Sequence, residues 1–206
     1  MSILVEDIGL LFLGVPGAAS TAIQSALEKL RSARWIGPKH AHLEGLLSCG
    51  ALGTRKTAGL EIACIVRNPF DLLHAEWFRS KRRWVLEMDD PASVGGWDAE
   101  KRQQIMMSAA FDFSDFIGHY FGTEYSEGKQ ISLFENYTRK ATKIGRFEDL
   151  DEFRNWFRRR FGLAIEVPVL NHTNGRVEYW RDYSSTARKI VETILRDEIE
   201  RFGYRF

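Results

Sequence analysis

The chain of 206 residues carries a net charge of +1, and 44% of its residues are hydrophobic while 28% are charged. This balance is ordinary for a globular protein and gives no general case for a nucleic-acid partner. The apolar run near the N-terminus is too short to cross a bilayer, so no membrane partner is expected. The two cysteines, Cys49 and Cys64, form no disulfide framework, and we expect a reducing, cytoplasmic setting. One domain over residues 1–206 is the expectation for this length.

Residues 9–23 predict a strand, a tight loop and a helix in that order. The apolar run is typical of a strand buried on both faces of a parallel sheet, and it breaks at Pro16 and Gly17. A helix is predicted after the break, with Ser20 or Thr21 as its cap. Free N–H groups at a helix start favour an anion such as phosphate. The segment is not a Walker A loop, and a strand–helix turn that binds no ligand is the alternative.

Residues 39–42 read Lys-His-Ala-His and follow a turn marked by the Gly-Pro pair at 37–38. His40 and His42 are two residues apart and cannot share a helix face, and no cysteine or acidic cluster completes a zinc site around them. No metal site is therefore predicted. An ordinary surface histidine is the alternative to a functional His40.

Residues 62–66 predict a second buried strand, and Arg67 stands directly after it. Asn68 can cap the following helix, and Pro69 fits the first helical position. Ligands collect at the carboxyl edge of open α/β sheets, where an arginine suits a bidentate contact with phosphate. An ion pair between Arg67 and a local carboxylate is the alternative.

The remaining segments predict further strands and helices in alternation. We expect short strands at residues 130–134 and 143–147, a helix that Asp149 opens, and a long amphipathic helix from Tyr183 onwards. The charge-rich stretch 79–104 predicts a helix end followed by a mobile loop. The whole pattern predicts an α/β protein with a mainly parallel sheet flanked by helices.

Taken together, these segments resemble the sulfotransferase superfamily, in particular its bacterial and Golgi-type carbohydrate sulfotransferases. Residues 15–23 are similar to the family's Ile-Pro-Lys-Thr-Ala-Gly-Thr-Ser-Ile loop, and residues 66–71 to its Val-Arg-Asn-Pro-Tyr-Asp segment. Residues 39–41 match a Lys-His-Ala segment, residues 146–150 match an Arg-Phe-Glu-Asp-Leu block, and residues 172–174 resemble His-Val-Asn. The resemblance covers most of the chain and implies a P-loop-like sulfotransferase fold.

The resemblance also implies a cofactor, PAPS (3′-phosphoadenylyl sulfate), whose product is PAP. The residues that then hold the 5′-phosphosulfate are Gly17, Ala18, Ala19, Ser20 and Thr21. Arg67 would hold the 3′-phosphate, and Arg176 would close over the nucleotide. His40 is the implied general base, since related carbohydrate sulfotransferases place a histidine in the matching segment and an ordinary pKa of about 6.5 suits that task.

Two positions depart from the family. The family's loop lysine, which contacts the bridging and sulfuryl oxygens, is Gly17 here. The serine that provides a second ligand of the 3′-phosphate falls on Ala75. Because Lys39 adjoins His40, we predict that Lys39 supplies the missing charge from another direction and acts with His40 in catalysis.

These features predict an enzyme that moves a sulfuryl group from PAPS to a hydroxyl of a carbohydrate or small-molecule acceptor. Such a transfer needs positioning and charge neutralisation more than covalent catalysis. The first alternative is a catalytically degenerate sulfotransferase-like module that binds PAP or another nucleotide. The second is a P-loop nucleotide kinase, against which the absent Walker lysine counts.

Overall fold

A computed structural model describes residues 1–53, 57–87, 99–170 and 178–206 of the chain. The chain divides into two compact units. The first consists of Met1–Arg67 and Phe134–His172, and the second of Asn68–Leu133 and Thr173–Phe206. The chain thus passes from the first unit to the second at the peptide bond between Arg67 and Asn68. The single domain predicted over residues 1–206 stays a prediction.

The first unit contains a five-stranded sheet with the order β3-β1-β2-β4-β5. Its strands are β1 (Ser2–Val5), β2 (Leu10–Leu13), β3 (Ala33–Ile36), β4 (Glu61–Val66) and β5 (Lys143–Arg146). The helices of this unit are α1 (Ser20–Leu27), α2 (Leu43–Ser48), α6 (Glu135–Thr138) and α7 (Leu150–Phe161). Strands that alternate with helices confirm the predicted α/β class.

The sheet is mixed, which corrects the prediction of a mainly parallel sheet. β2 pairs in parallel with β4, and β4 with β5, but β1 is antiparallel to both of its neighbours, β2 and β3. The reversal follows from the short connection over residues 6–9, where Gly9 adopts a left-handed conformation with φ of 62°. So short a connection can join antiparallel strands, whereas a parallel pair needs a crossover of about a dozen residues or more.

The core of the first unit is built on fully buried strands. All four residues of β2 are buried, and Phe12 packs edge-on against Phe153 of α7 with ring centroids 6.1 Å apart. Gly145 of β5 is required here, since a Cβ at this position would lie 2.6 Å from Ile65 Cδ1. Asp149 caps α7 by accepting from the Glu152 N–H at 3.0 Å, as predicted. The buried, parallel strands β2 and β4 thus place their carboxyl ends at fixed positions along one edge.

The second unit is helical within its described residues. It contains α3 (Pro69–Glu87), α4 (Ala99–Ala110), α5 (Phe113–Ser126), α8 (Ser185–Ile194) and α9 (Arg196–Arg201). The predicted strand at 130–134 is wrong, because these residues form no strand and the Ile131 N–H donates to Ile194 O at 3.1 Å. The predicted long final helix is interrupted at Leu195. Part of the predicted mobile loop, residues 88–98, lies outside the described residues.

Aromatic side chains dominate the core of the second unit, where Phe70, Trp77, Phe113 and Phe116 are buried together. Asn68 opens α3 as predicted, since its side-chain oxygen accepts from the Phe70 N–H at 3.1 Å.

Over the described ranges, no helix has both the length and the apolar character needed to cross a membrane.

Candidate functional site

The site lies at one edge of the sheet in the first unit. Because β1 alone runs in the opposite direction, the carboxyl ends of β2, β3, β4 and β5 share this edge. The chain that leaves β2 continues to β3 on one side, whereas the chain that leaves β4 reaches β5 on the other. In open α/β sheets, ligands bind outside the carboxyl ends of the strands where the strand order reverses in this way.

The loop between β2 and α1 has the geometry of an anion-binding concavity. Gly17 and Ala19 have positive φ angles of 73° and 54°, whereas Ala18 between them does not. Left-handed residues in a short loop can turn successive N–H groups towards one side, as in a nest for an anion. Ala18 is fully buried, so the loop packs tightly on the core and presents little side chain of its own.

The start of α1 carries no side-chain cap, which corrects the prediction that Ser20 or Thr21 caps it. The N-cap residue is Ala19, and the Ser20 hydroxyl instead donates to the Val15 carbonyl. Across the described parts of the chain, no acceptor pairs with the backbone N–H groups of residues 17–21. These donors are left for an external anion or for water.

Arg67 reaches this loop from the end of β4. Its Nη1 donates to Gly17 O at 2.9 Å, and its guanidinium carbon lies 4.1 Å from the centre of the Phe147 ring. Phe147 is anchored by its own N–H, which donates to Val66 O at 2.8 Å. The structure therefore places Arg67 beside the predicted anion loop, in contact with one of the predicted loop residues.

His40 lies against the start of the same loop. Its Nδ1 is 3.0 Å from Gly14 O, and its own carbonyl accepts a hydrogen bond of 2.7 Å from the Tyr137 hydroxyl. A carbonyl oxygen can only accept, so Nδ1 carries the proton and Nε2 is the basic nitrogen of the neutral ring. Burial raises the pKa of the Tyr137 hydroxyl, which keeps its proton at neutral pH.

The backbone of His40 is left-handed, with φ of 59°. Within the described ranges, His40 and Ala19 are the non-glycine residues with positive φ, and both lie at this edge of the sheet. Each such residue costs on the order of 1–3 kcal/mol and persists only where its surroundings hold it in place. Backbone strain of this kind concentrates at functional sites.

Lys39, the other predicted catalytic residue, is exposed. The pKa of the Met1 amino group is lowered mainly by burial and further by the positive charge of Lys39. Met1 lies near the loop, because its carbonyl accepts from Gln24 Nε2 at 2.7 Å. The structure thus places Lys39 near this end of the sheet without a described contact to residues 17–21.

The sequence also singled out Arg176, His172 and Ala75. Arg176 lies outside the described residues, as does His172. Ala75, at the position of the family's serine, is buried in α3 of the second unit and offers no hydrogen-bonding side chain. In the described ranges, no group of three or more His, Cys, Asp or Glu side chains is arranged to hold a metal ion.

Two residues of the site, Tyr137 and Phe147, are not predicted from the sequence. Tyr137 lies in a polar stretch and contacts His40 across 97 positions, which no local pattern encodes. Phe147 belongs to the block at 146–150 that resembles the sulfotransferase family, but its position one residue after a parallel strand was the only hint of its contact with Arg67.

Comparisons of the chain with protein-family models, with curated proteins and with solved structures gave no significant match. We therefore infer the function from the chemistry of the site.

Proposed function

We propose that the chain is a PAPS-dependent sulfotransferase with a P-loop-like fold, acting on a hydroxyl of a carbohydrate or small-molecule acceptor. The observation that carries the proposal is the convergence of His40, Arg67 and the nest at residues 17–19 on one strand edge. They belong to three of the five segments whose sequences resemble the sulfotransferase family. Their proximity is what a shared cofactor site requires.

The loop residues fit the 5′ end of PAPS. The backbone N–H groups of residues 17–21 lack acceptors in the described chain and suit the oxygens of a phosphosulfate. The small side chains of Gly17, Ala18 and Ala19 allow a close approach to the backbone. Arg67 adds a permanently charged, planar donor group beside them.

PAPS supplies the sulfuryl group: the acceptor oxygen forms a bond to sulfur, the bond from sulfur to the 5′-phosphate oxygen breaks, and PAP leaves with the electron pair. His40 accepts the proton of the acceptor hydroxyl at Nε2, the nitrogen that the contact of Nδ1 with Gly14 O leaves basic. The loop N–H groups stabilise negative charge on the 5′-phosphate, and Arg67 holds the 3′-phosphate. We retain Lys39 as a second source of positive charge because it adjoins His40 in the chain.

A second candidate is a catalytically degenerate module that binds PAP without transferring a sulfuryl group. Gly17 and Ala75 favour it, since neither supplies the side chain that the family uses at that position. A preorganised cation or donor near the reacting group is commonly worth about 3–4 kcal/mol of transition-state stabilisation. The two candidates share the cofactor and differ only in turnover.

The test combines binding and transfer. We expect calorimetric titration of the full chain to show PAP binding and no comparable binding of ATP. Incubation with radiolabelled PAPS and an acceptor panel should transfer the label, and His40→Gln should abolish transfer without abolishing PAP binding. His119→Gln is the matched control, because His119 is an exposed histidine of α5 that stacks on Phe111 at 4.2 Å.

Each outcome separates the candidates. PAP binding with transfer supports the enzyme, and PAP binding without transfer over the whole panel favours the binding module. Absence of PAP binding overturns both, and ATP hydrolysis or phosphoryl transfer would indicate the kinase instead.

A further inference from the structure

We infer that His42 is a positioning residue for the proposed general base, His40. This inference rests on the proposed function and concerns a residue just outside the segment at 39–41 that resembles the sulfotransferase family. It starts from the way in which the turn over residues 40–42 is held. Each of these three consecutive residues contacts a different neighbouring part of the first unit.

His42 is the N-cap of α2. Its backbone is extended, with φ of −82° and ψ of 173°, and its Nδ1 accepts from the Gly45 N–H at 3.3 Å. A backbone N–H can only donate, so Nδ1 carries no proton and the neutral ring carries its proton on Nε2. His42 therefore has the opposite tautomer to His40, whose Nδ1 donates to Gly14 O. Because the cap occupies the basic nitrogen of His42, His40 is the one of the two that can act as the base.

The His42 ring also packs against Tyr137 of α6. The two rings meet edge to face, with centroids 6.3 Å apart and planes at 89°. The Tyr137 hydroxyl donates to the His40 carbonyl at 2.7 Å. The residues preferred as N-caps are serine, threonine, aspartate and asparagine, none of which offers a ring to Tyr137. Histidine at this position thus starts α2 and also supports the tyrosine that holds His40.

The residue between the two histidines is fixed as well. Ala41 is buried, and its carbonyl accepts from the Ser2 hydroxyl of β1 at 3.2 Å. The left-handed backbone of His40, with φ of 59°, persists only while its surroundings hold it. Loss of the His42 side chain frees one end of this turn and one face of Tyr137. His40 can then relax, and a displaced base transfers its proton less efficiently.

The first experiment determines the tautomers in the full chain. We record nitrogen NMR spectra of the chain labelled at its histidine rings at a pH of about 8, where an ordinary histidine ring is neutral. His42→Asn and His40→Gln assign the signals. We expect the proton on Nε2 of His42 and on Nδ1 of His40. A His42 ring protonated on Nδ1 would overturn the inference and leave the proposed function intact.

The second experiment separates positioning from stability. We expect His42→Ala to lower kcat for sulfuryl transfer by about 10-fold and to leave the KM for PAPS unchanged, because the base is displaced while the cofactor loop is intact. His42→Asn restores the cap and should recover part of the rate. Asp112→Ala is the matched control, since Asp112 caps α5 by accepting from the Asp115 N–H at 2.9 Å. It should lower stability to a similar extent without changing kcat.

Further variants cover the case in which His42→Ala does not fold, as judged by circular dichroism. His42→Phe keeps the ring and His42→Asn keeps the cap, so each should retain more of kcat than loss of both contacts allows but less than the unmodified chain. Unchanged kcat in both variants would contradict the inference. A His42→Asn variant as inactive as His40→Gln would make His42 itself the base and would also overturn it. Absence of transfer by the unmodified chain would overturn the proposed function together with the inference.

Discussion

The Tyr137 hydroxyl donates a hydrogen bond of 2.7 Å to the backbone carbonyl of His40. His40 has a left-handed backbone, and its ring contacts Gly14 O. Tyr137 thus stabilises a conformation that a histidine seldom adopts by itself. The contact makes Tyr137 a positioning residue for the proposed base.

Replacement of Tyr137 by Phe should loosen His40 while keeping the aromatic ring. We expect the free energy of unfolding to fall by about 0.5–1.5 kcal/mol, the usual worth of one hydrogen bond. The sulfuryl-transfer rate should fall and its dependence on pH should shift, because the His40 ring loses its fixed contact. Urea unfolding and a pH–rate profile measure these effects. Tyr125→Phe in α5 is the control, and equal pH profiles for the two variants would contradict the positioning role.

Because the backbone of His40 is left-handed, replacing it by glycine should destabilise the fold less than replacing it by alanine, the reverse of the usual order. His40→Gly should be more stable than His40→Ala by about 1 kcal/mol, because only glycine adopts positive φ without a steric cost. At Lys39, whose φ is not positive, the order should be the ordinary one, with Ala more stable than Gly. Urea midpoints of the four variants provide the comparison. A His40→Ala variant as stable as His40→Gly would show that the strain is absent in solution.

Gly14 should not tolerate a side chain. A Cβ there would lie 2.6 Å from Gln24 Nε2 and 2.9 Å from Met1 O, two atoms that are hydrogen-bonded to each other. Gly14→Ala should therefore lower the free energy of unfolding by about 1–3 kcal/mol and weaken PAP binding, since the Gly14 carbonyl also contacts His40. Gly118→Ala in α5, where a Cβ meets nothing within 4 Å, should instead stabilise by about 0.5–1 kcal/mol. Thermal unfolding distinguishes the two, and a Gly14→Ala variant with unchanged stability would contradict the packing argument.

Glu61 should make the first unit sensitive to acid. Its pKa is lowered first by the hydrogen bond from Thr142 and then by the hydrogen bond and charge of Arg160. Because the folded pKa lies below the unfolded value of about 4.3, this stabilisation is present above that value and is lost as the pH falls through the folded pKa. Glu61→Gln should reduce the loss of stability between pH about 6 and about 3. Urea unfolding across this range tests it, with Glu44→Gln as the control, and an unchanged slope would contradict the assignment.

The parts of the fold that sequence predicts well are those fixed by neighbouring residues. Asn68 and Pro69 open α3, and Asp149 opens α7, because capping depends on side chains within a few positions. Apolar runs likewise mark β2 and β4, which must be buried on both faces.

The errors come from interactions between distant residues. The pairing of β1 reverses part of the sheet, although Ser2–Val5 carries only a short apolar pattern. The residues at 130–134 have a strand-like composition, but the Ile131 N–H pairs with the end of α8 and no strand forms. At the candidate site, the sequence predicts Arg67 and His40 but not the carbonyls, the ring and the hydroxyl that contact them.

The position of Phe147 under Arg67 has a consequence for the order in which the chain acquires its site. β4 and β5 pair in parallel with Val66 opposite Arg146, so a long intervening segment must be synthesised before the two strands meet. Closing the long loop between these segments costs more conformational entropy than forming contacts between near neighbours. This cost slows folding. On the ribosome, the nascent loop and Arg67 emerge well before β5, and Arg67 gains its aromatic support only when residue 147 has left the exit tunnel. Nucleotide added during synthesis should therefore be retained more strongly by nascent chains that extend beyond β5 than by shorter ones.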